Sequence, residues 1–407
     1  MAERSCIRLP GARLLATRHM SDTDHKLFNP AKVQYELVTT NERLAELCRD
    51  WQEKPYLAMD TEFIRTTTFY PHVGLIQINS GGQTNYLVDP LPISGWQAFR
   101  TLMRNPAITK VFHSCSEDLQ VFMAAMDVVP APVFDTQIAA SLLNQGFGIS
   151  YQNLVNARLG IELPKGETRS DWLHRPLTET QCQYAALDVD CLPEIYLAQR
   201  EALVQQGRLS WLEEDCDTLL QQYRQEMLGD FSTFYQNIKG AWQLNRRQLA
   251  ILRELANWRE LRARKRDKPR NWIIRDRNLI DIARRMPERI EQIAGMEGIG
   301  KQFLRFEAPE LLALVSDAAA IPESQYPGAL PRPLDGSAKT QLKRGQQFVE
   351  EQAAKLNLPV EVLARKRWLV NILQAMPLEG EADERLPVGL TGWRKPILLP
   401  GLLEAMS

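Results

Sequence analysis

Two regimes of hydrophobic patterning divide the chain. Between residues 56 and 135 the apolar residues fall in short runs, YLAMDTEFI (56–64), VGLIQIN (73–79), NYLV (85–88) and the Val111-Phe112 pair, and this pattern predicts strands. Gly81-Gly82, between the second and third runs, predicts a tight turn and hence an antiparallel meander. Helices alternate with strands up to residue 135 and take over from about residue 136, most strongly in QCQYAALDVDCLPEIYLAQR (181–200). From about residue 208 the pattern is almost wholly helical, interrupted by the proline-rich stretch IPESQYPGALPRPLDGS (321–337). The expectation is an α/β domain followed by helical modules.

Three patches within the first regime carry candidate chemistry. A strand alternates faces, so Asp60 and Glu62 in YLAMDTEFIR (56–65) project the same way. Two carboxylates on one face repel and are poorly tolerated in a core unless a dication lies between them, which points to a metal; an ordinary solvated strand end also accommodates D-x-E. In ITKVFHSCSEDLQVFMAAM (108–126), Asp118 lies in the first turn of a helix beside the apolar Leu119, Phe122 and Met123. There it can face the sheet or act as a favourable acid at the helix start. His113 reads as a packed strand-end histidine or a nucleic-acid contact. Tyr184 and Asp188 are four apart and share a helix face, as a catalytic pair or a surface hydrogen-bonded pair would.

In this order, a D-x-E pair, an aspartate after H-x4-D and a Y-x3-D helix resemble the DEDD superfamily of 3′→5′ exonucleases. The similarity is to its tyrosine subgroup and, within it, to the bacterial ribonuclease D family. The stretches that carry it are DTEFIRTTTFYPHVGLIQI (60–78), FHSCSEDLQVF (112–122), KGETRSDWLHRPLT (165–178) and YAALDVDCLPEIY (184–196), and none of the five family positions is substituted. The resemblance implies a ribonuclease H-like α/β domain, a central mixed sheet of about five strands flanked by helices, and a site of two divalent ions about 3.5–4 Å apart that activate water and stabilise the leaving 3′ oxygen. By the same resemblance Asp60 would bridge both ions, Glu62 and Asp188 would complete the first shell, and Asp118 would hold the second ion directly or through water. Tyr184 would orient the attacking water, since a phenol is a poor base at neutral pH. Mg²⁺ or Mn²⁺ suits such a carboxylate cage, and Zn²⁺ or Co²⁺ is disfavoured. The implied activity is trimming of 3′ extensions from tRNA precursors and other structured RNAs, with release of nucleoside 5′-monophosphates. A DNA exonuclease and a non-catalytic RNA-binding scaffold are the alternatives.

Residues near the acids extend the reading to substrate. Phe63, Phe69 and Tyr70 are candidates for stacking on a terminal base, although each could equally pack in a core, and Arg65 could meet a phosphate. Lys165 and Arg169, with Gly166, form a polar loop before the Tyr184 helix that Trp172 could pack down. Residues 249–287 resemble an HRDC domain, a small helical nucleic-acid-binding module, with Trp258, Arg259, Lys268, Pro269, Arg270 and Asn271 at its characteristic places; a weaker second copy is read in residues 338–407. Residues 241–285 hold 14 Lys or Arg against 5 Asp or Glu, so within a chain of net charge −1 the basic charge concentrates where RNA could lie. Lys268 and Arg270 are the candidate phosphate contacts there, positioning RNA without reading its sequence.

The remaining features bound the function. Six scattered cysteines without C-x-x-C spacing fit free thiols in a reducing compartment. No apolar run reaches the ~20 residues of a membrane span, so a cytoplasmic monomer is expected. The arginine-bearing start is read as an upstream extension or disordered tail (1–29), not a targeting segment. The expected domains are 30–207 (exonuclease), 208–240 (connecting helical segment), 241–321 (first HRDC), 322–337 (linker) and 338–407 (second HRDC-like). GMEGIGKQ (295–302) nearly spells a phosphate-binding loop, but Gln302 ends it and no strand precedes it, so no nucleotide cofactor is expected.

Overall fold

The computed structural model describes residues 33–164, 170–227, 229–375 and 386–406. The expected tail, and with it Lys165, Gly166 and Arg169, lie outside the described residues. Six strands form one mixed sheet: β1 (Tyr35–Val38), β2 (Tyr56–Ile64), β3 (His72–Asn79), β4 (Asn85–Val88), β5 (Thr109–Phe112) and β6 (Val133–Asp135), in the order β1-β4-β3-β2-β5-β6. The expected antiparallel meander is β2-β3-β4, while β5 joins β2, and β6 joins β5, in parallel. Among the described residues the sheet has one strand more than the resemblance implies. Its extra member, β1, is a four-residue YELV segment that pairs in parallel with β4.

Helices α1 (Asn41–Trp51), α2 (Gln97–Arg104), α3 (Ser116–Met126), α4 (Thr136–Leu142), α5 (Tyr151–Leu159), α6 (Glu179–Asp190), α7 (Leu192–Gln205) and α8 (Leu209–Met227) surround the sheet. The periodicity over 181–200 suggests one helix, but the structure has two. Pro193, lacking an amide hydrogen, sits in the first turn of α7 and ends α6 at Asp190. The start of α6 is fixed by a capping box, with the Thr178 hydroxyl accepting from the Gln181 amide and Gln181 returning to the Thr178 amide. The segment before it is pinned to β3: Trp172 is 2% exposed, and Arg175 donates to the Gly74 carbonyl at 2.6 Å and pairs with Asp89. Only glycine fits at 74, because a Cβ there would lie 2.6 Å from the Trp172 carbonyl oxygen.

Beyond α8 come α9 (Arg246–Arg266), α10 (Arg270–Ile273), α11 (Asp276–Arg285), α12 (Glu291–Ala294), α13 (Lys301–Phe306) and α14 (Ala308–Ala320). After an extended stretch come α15 (Gly336–Leu356), α16 (Val360–Leu363), α17 (Lys366–Ala375) and α18 (Arg394–Met406). Residues 295–300 of the glycine-rich segment are a turn between α12 and α13, with Gly298 at φ 83°. Helices α9 to α14 enclose their own apolar core, whereas α15 to α18 share one continuous core with the sheet. The second union is also polar. Arg394 pairs with Asp215 of α8, Trp393 stacks on Trp211 at 4.2 Å, and the Trp393 amide donates to Glu214 at 2.9 Å. Gly392, at φ 61°, permits this approach, since a Cβ there would overlap the Glu214 carboxylate. Among the described residues no helix is long and apolar enough to cross a membrane, and all five cysteines are free and buried.

Candidate active site

The strand β5 pairs with β2 only over Tyr56–Ala58, so residues 59–64 of β2 run on with β3 as their sole sheet neighbour. Helix α3 packs at this overhang and α6 crosses the face of β2, β3 and β4. Period-2 alternation turns Asp60 and Glu62 to one face, and α6 presents Asp188 to them. One carboxylate oxygen each from Asp60, Glu62 and Asp188 lie within 4.8 Å of one another. Asp118 stands behind this trio. It is buried, and its Oδ1 accepts the Thr61 hydroxyl at 2.5 Å. Tyr184 shares a face of α6 with Asp188 one turn away, each shifting the other's titration, and its ring lies 6.2 Å from Trp172.

Burial and mutual repulsion govern the charges here. Burial, then Asp188, holds Asp60 well above the usual carboxylate range, and burial, then Asp60, does the same to Asp118. Burial, then Asp60, Asp188 and Asp118, pushes Glu62 up to about 10. Burial raises Asp188 to about 7, against Tyr184, which lowers it. No lysine, arginine or histidine is among the causes of these four shifts. A pocket of concentrated negative charge with oxygen-only ligands fits a hard divalent cation. Gln77 is opposite Asp60 in the β2–β3 register and fully buried, and neither its amide nitrogen nor its oxygen has a hydrogen-bond partner among the described residues. Such an orphaned amide beside Asp60 also fits a site completed by solvent or ligand. Gln77 and Thr61 were not anticipated from the sequence; a lone glutamine inside the apolar run of β3 was the available signal for the first.

A family model described as 3'-5' exonuclease matches residues 35–203, and an HRDC domain model matches residues 248–315. A ribonuclease D of Pseudomonas paraeruginosa is 41% identical over 364 residues, which is 89% of this chain and 95% of that protein. The chain belongs to the ribonuclease D family. The ribonuclease D of Escherichia coli is 36% identical over 91% of this chain and 98% of its own length. The crystal structure of E. coli RNase D, described as an exoribonuclease involved in structured RNA processing, matches at TM-score 0.82 and 33% identity, over 92% of this chain and 98% of that one.

Within this ribonuclease D architecture several residues expected at the nucleic acid do other work. Phe69 is 6% exposed in the core of the first helical unit, with the Arg264 and Arg270 guanidiniums 4.8 and 4.9 Å from its ring centre. Tyr70 packs on the same cluster. The Phe69 and Tyr70 amides both donate to Asp267 at 2.9 Å, so this loop docks the helical unit. Arg270 is ion-paired with buried Glu260, and the Lys268 ammonium bonds the Thr67 carbonyl at 3.4 Å. Both ring nitrogens of His113 are engaged, with the Thr136 hydroxyl at 2.9 Å and the Ile149 carbonyl at 3.0 Å, which makes it a structural histidine. Phe63 is half-buried just past a bulge after Glu62, and Arg65 is exposed with its guanidinium on Gln120. These two remain at the edge of the acid site.

The basic stretch 241–285 also looks different once folded. Ten of its arginines, at 246, 253, 259, 262, 264, 266, 270, 275, 277 and 284, are in ion pairs, several with acids outside the stretch such as Glu226, Glu297, Glu307 and Glu310. Much of its positive charge is therefore matched within the fold, with several of these pairs lying at the surface.

Proposed function

We propose that this enzyme, a 3′→5′ exoribonuclease by family, removes nucleotides singly from the 3′ ends of structured RNAs, tRNA precursors with 3′ extensions among them, and releases nucleoside 5′-monophosphates. The observation that carries this is the convergence of Asp60, Glu62 and Asp188 within 4.8 Å, with no lysine, arginine or histidine among the described residues shifting their charges. Asp60, Glu62 and Asp188 would hold one divalent ion, Mg²⁺ or Mn²⁺, and Asp60 with Asp118 a second. When bound, such ions supply Lewis acidity at the phosphoryl oxygens and make water a nucleophile at neutral pH. The Thr61 hydroxyl fixes Asp118, so the acid does not swing as charge builds nearby. The Tyr184 hydroxyl, beside Asp188, orients the attacking water. Its acidity is driven further down by burial and by Asp188, so it keeps its proton and acts by position. All these groups come from one chain, which supports a monomer as the working unit.

The proposed domain plan is 30–207, 208–240, 241–321, a linker, and 338–407 as a second HRDC-like copy. A repeat 90 residues apart supports it: α9 and α15 end at Asp267 and Asn357, each with φ 50°, and Pro269 and Pro359 then open α10 and α16. The test is a time course on a 5′-labelled tRNA with an extended 3′ tail, beside a DNA oligonucleotide of equal length and the Asp60→Ala protein. Stepwise shortening of the RNA alone, stopping near the mature stem, is expected. Equal cutting of DNA would remove the RNA preference, and activity in Asp60→Ala would remove the site.

A further inference from the structure

Away from the acids, a cleft of about 700 Å³ opens between the sheet domain, α8 and the second helical unit. Phe147 lines it, at the tip of a Gly146-Phe147-Gly148 loop whose glycines both take positive φ, 124° and 63°. The ring is 48% exposed. Arg365 and Arg367 also line the cleft, at the entrance to α17. Neither is in an ion pair among the described residues, whereas the third arginine of the cleft, Arg394, is bound to Asp215. The wall acid Asp135 is likewise occupied, by the amides of Ser114, Cys115 and Gln137. Glu361, on the rim, is the acid left without an ion pair among the described residues. Burial, then Arg367 and Arg394, lowers the Arg365 pKa, with Asp215 acting against them.

The same loop leads to the acid site. The Ile149 carbonyl is held by Gln137 Nε2 at 3.0 Å and by the His113 ring, and Tyr151 is half-buried where it feels Asp188 and Asp60. A 3′ terminus lying at the acids leaves upstream nucleotides that must depart along some wall of the site. An exposed aromatic sharing a cleft with unpaired arginines is the combination that holds single-stranded nucleic acid, through base stacking and phosphate attraction.

We propose that the cleft lined by Phe147, Arg365 and Arg367 holds unpaired RNA upstream of the two 3′-terminal nucleotides, one base on the Phe147 ring and its phosphates on the two guanidiniums. This rests on the exoribonuclease reading of the acid site. It is tested by fluorescence anisotropy with an unstructured RNA of about twelve nucleotides, long enough to span a site of this kind, in EDTA over a salt series, beside Mn²⁺-dependent hydrolysis of a dinucleotide too short to reach the cleft. Phe147→Ala should weaken binding roughly tenfold with the salt slope unchanged. Arg365→Ser with Arg367→Ser should weaken binding and lower the log–log salt slope by about 1.4, the loss of two phosphate contacts on a single strand. Glu361→Gln should tighten binding. Dinucleotide hydrolysis should be unchanged in all of them. Wild-type affinity and slope in the Phe147 and arginine variants would overturn the proposal. A wild-type protein that binds the longer RNA but leaves the dinucleotide uncut would instead count against the acid site. Arg365 lies over Trp368, 5.6 Å from its ring centre. If its variant melts low, the exposed Phe147→Ser and Arg367→Ser decide the matter by the same two readouts, affinity and salt slope.

Discussion

Asp60, Glu62 and Asp188 were legible in sequence because two short periodicities place them: alternation along a strand, and the i,i+4 step that pairs Asp188 with Tyr184. The packing of Phe69 and Arg270 was not legible, because no local pattern says which distant surface will cover a loop aromatic. Only the fold shows that Phe69 lies beneath two guanidiniums of the first helical unit. The acids also make a prediction about pH. Their folded pKa values lie above the unfolded value of about 4, so the metal-free folded state binds more protons than the unfolded chain. Its stability is then greatest at low pH and falls as pH rises from about 4 through the raised values, about 7 for Asp188 and about 10 for Glu62. In EDTA the melting temperature should therefore decline between pH 5 and 8, and Asp188→Asn should flatten that decline. Mn²⁺ should restore most stability at pH 8, where its ligands lose protons most readily. A wild-type melting temperature that rises over this window, with no Asp188 dependence, would show that the acids do not repel as described.

At the scale of elements, the site is made by an overhang. Strand β2 outruns β5, α3 fills the gap, and α6 closes the face. The strands were readable from their apolar runs, but the overhang was not, since where β5 stops pairing depends on its partner. The docking of helical units was equally hidden. Asp267, the left-handed residue ending α9, collects the Phe69 and Tyr70 amides and His72, and its counterpart Asn357, ending α15, accepts from Asn144 at 2.8 Å. Both caps thus turn outward to the sheet domain. Asp267 is partly exposed, so Asp267→Ala should cost only about 1–2 kcal/mol. Its clearer signature is faster hydrogen exchange at the Phe69 and Tyr70 amides with dinucleotide hydrolysis retained. Unchanged exchange would mean that the loop is held by Phe69 packing alone.

At the scale of the molecule, a sheet domain carries four buried or half-buried acids, and two helical units grip it differently. The first has its own core and meets the sheet domain through the loop around Phe69. The second merges its core with that of the sheet domain. Much of the basic stretch seen in sequence is matched by ion pairs within the fold, which leaves the unpaired arginines of the Phe147 cleft as a better place to seek RNA than the charge count suggested. The central claim concerns the acids: they hold divalent ions, and hydrolysis depends on those ions. It is tested most directly by calorimetric titration of Mn²⁺ into the wild-type protein and into Asp60→Asn, with RNA hydrolysis followed in the same samples and folding checked by circular dichroism. Mn²⁺ binding is expected in the wild type and should be lost, together with hydrolysis, in a folded Asp60→Asn protein. Equal Mn²⁺ binding by both proteins, or RNA hydrolysis that persists in the variant, would contradict the claim.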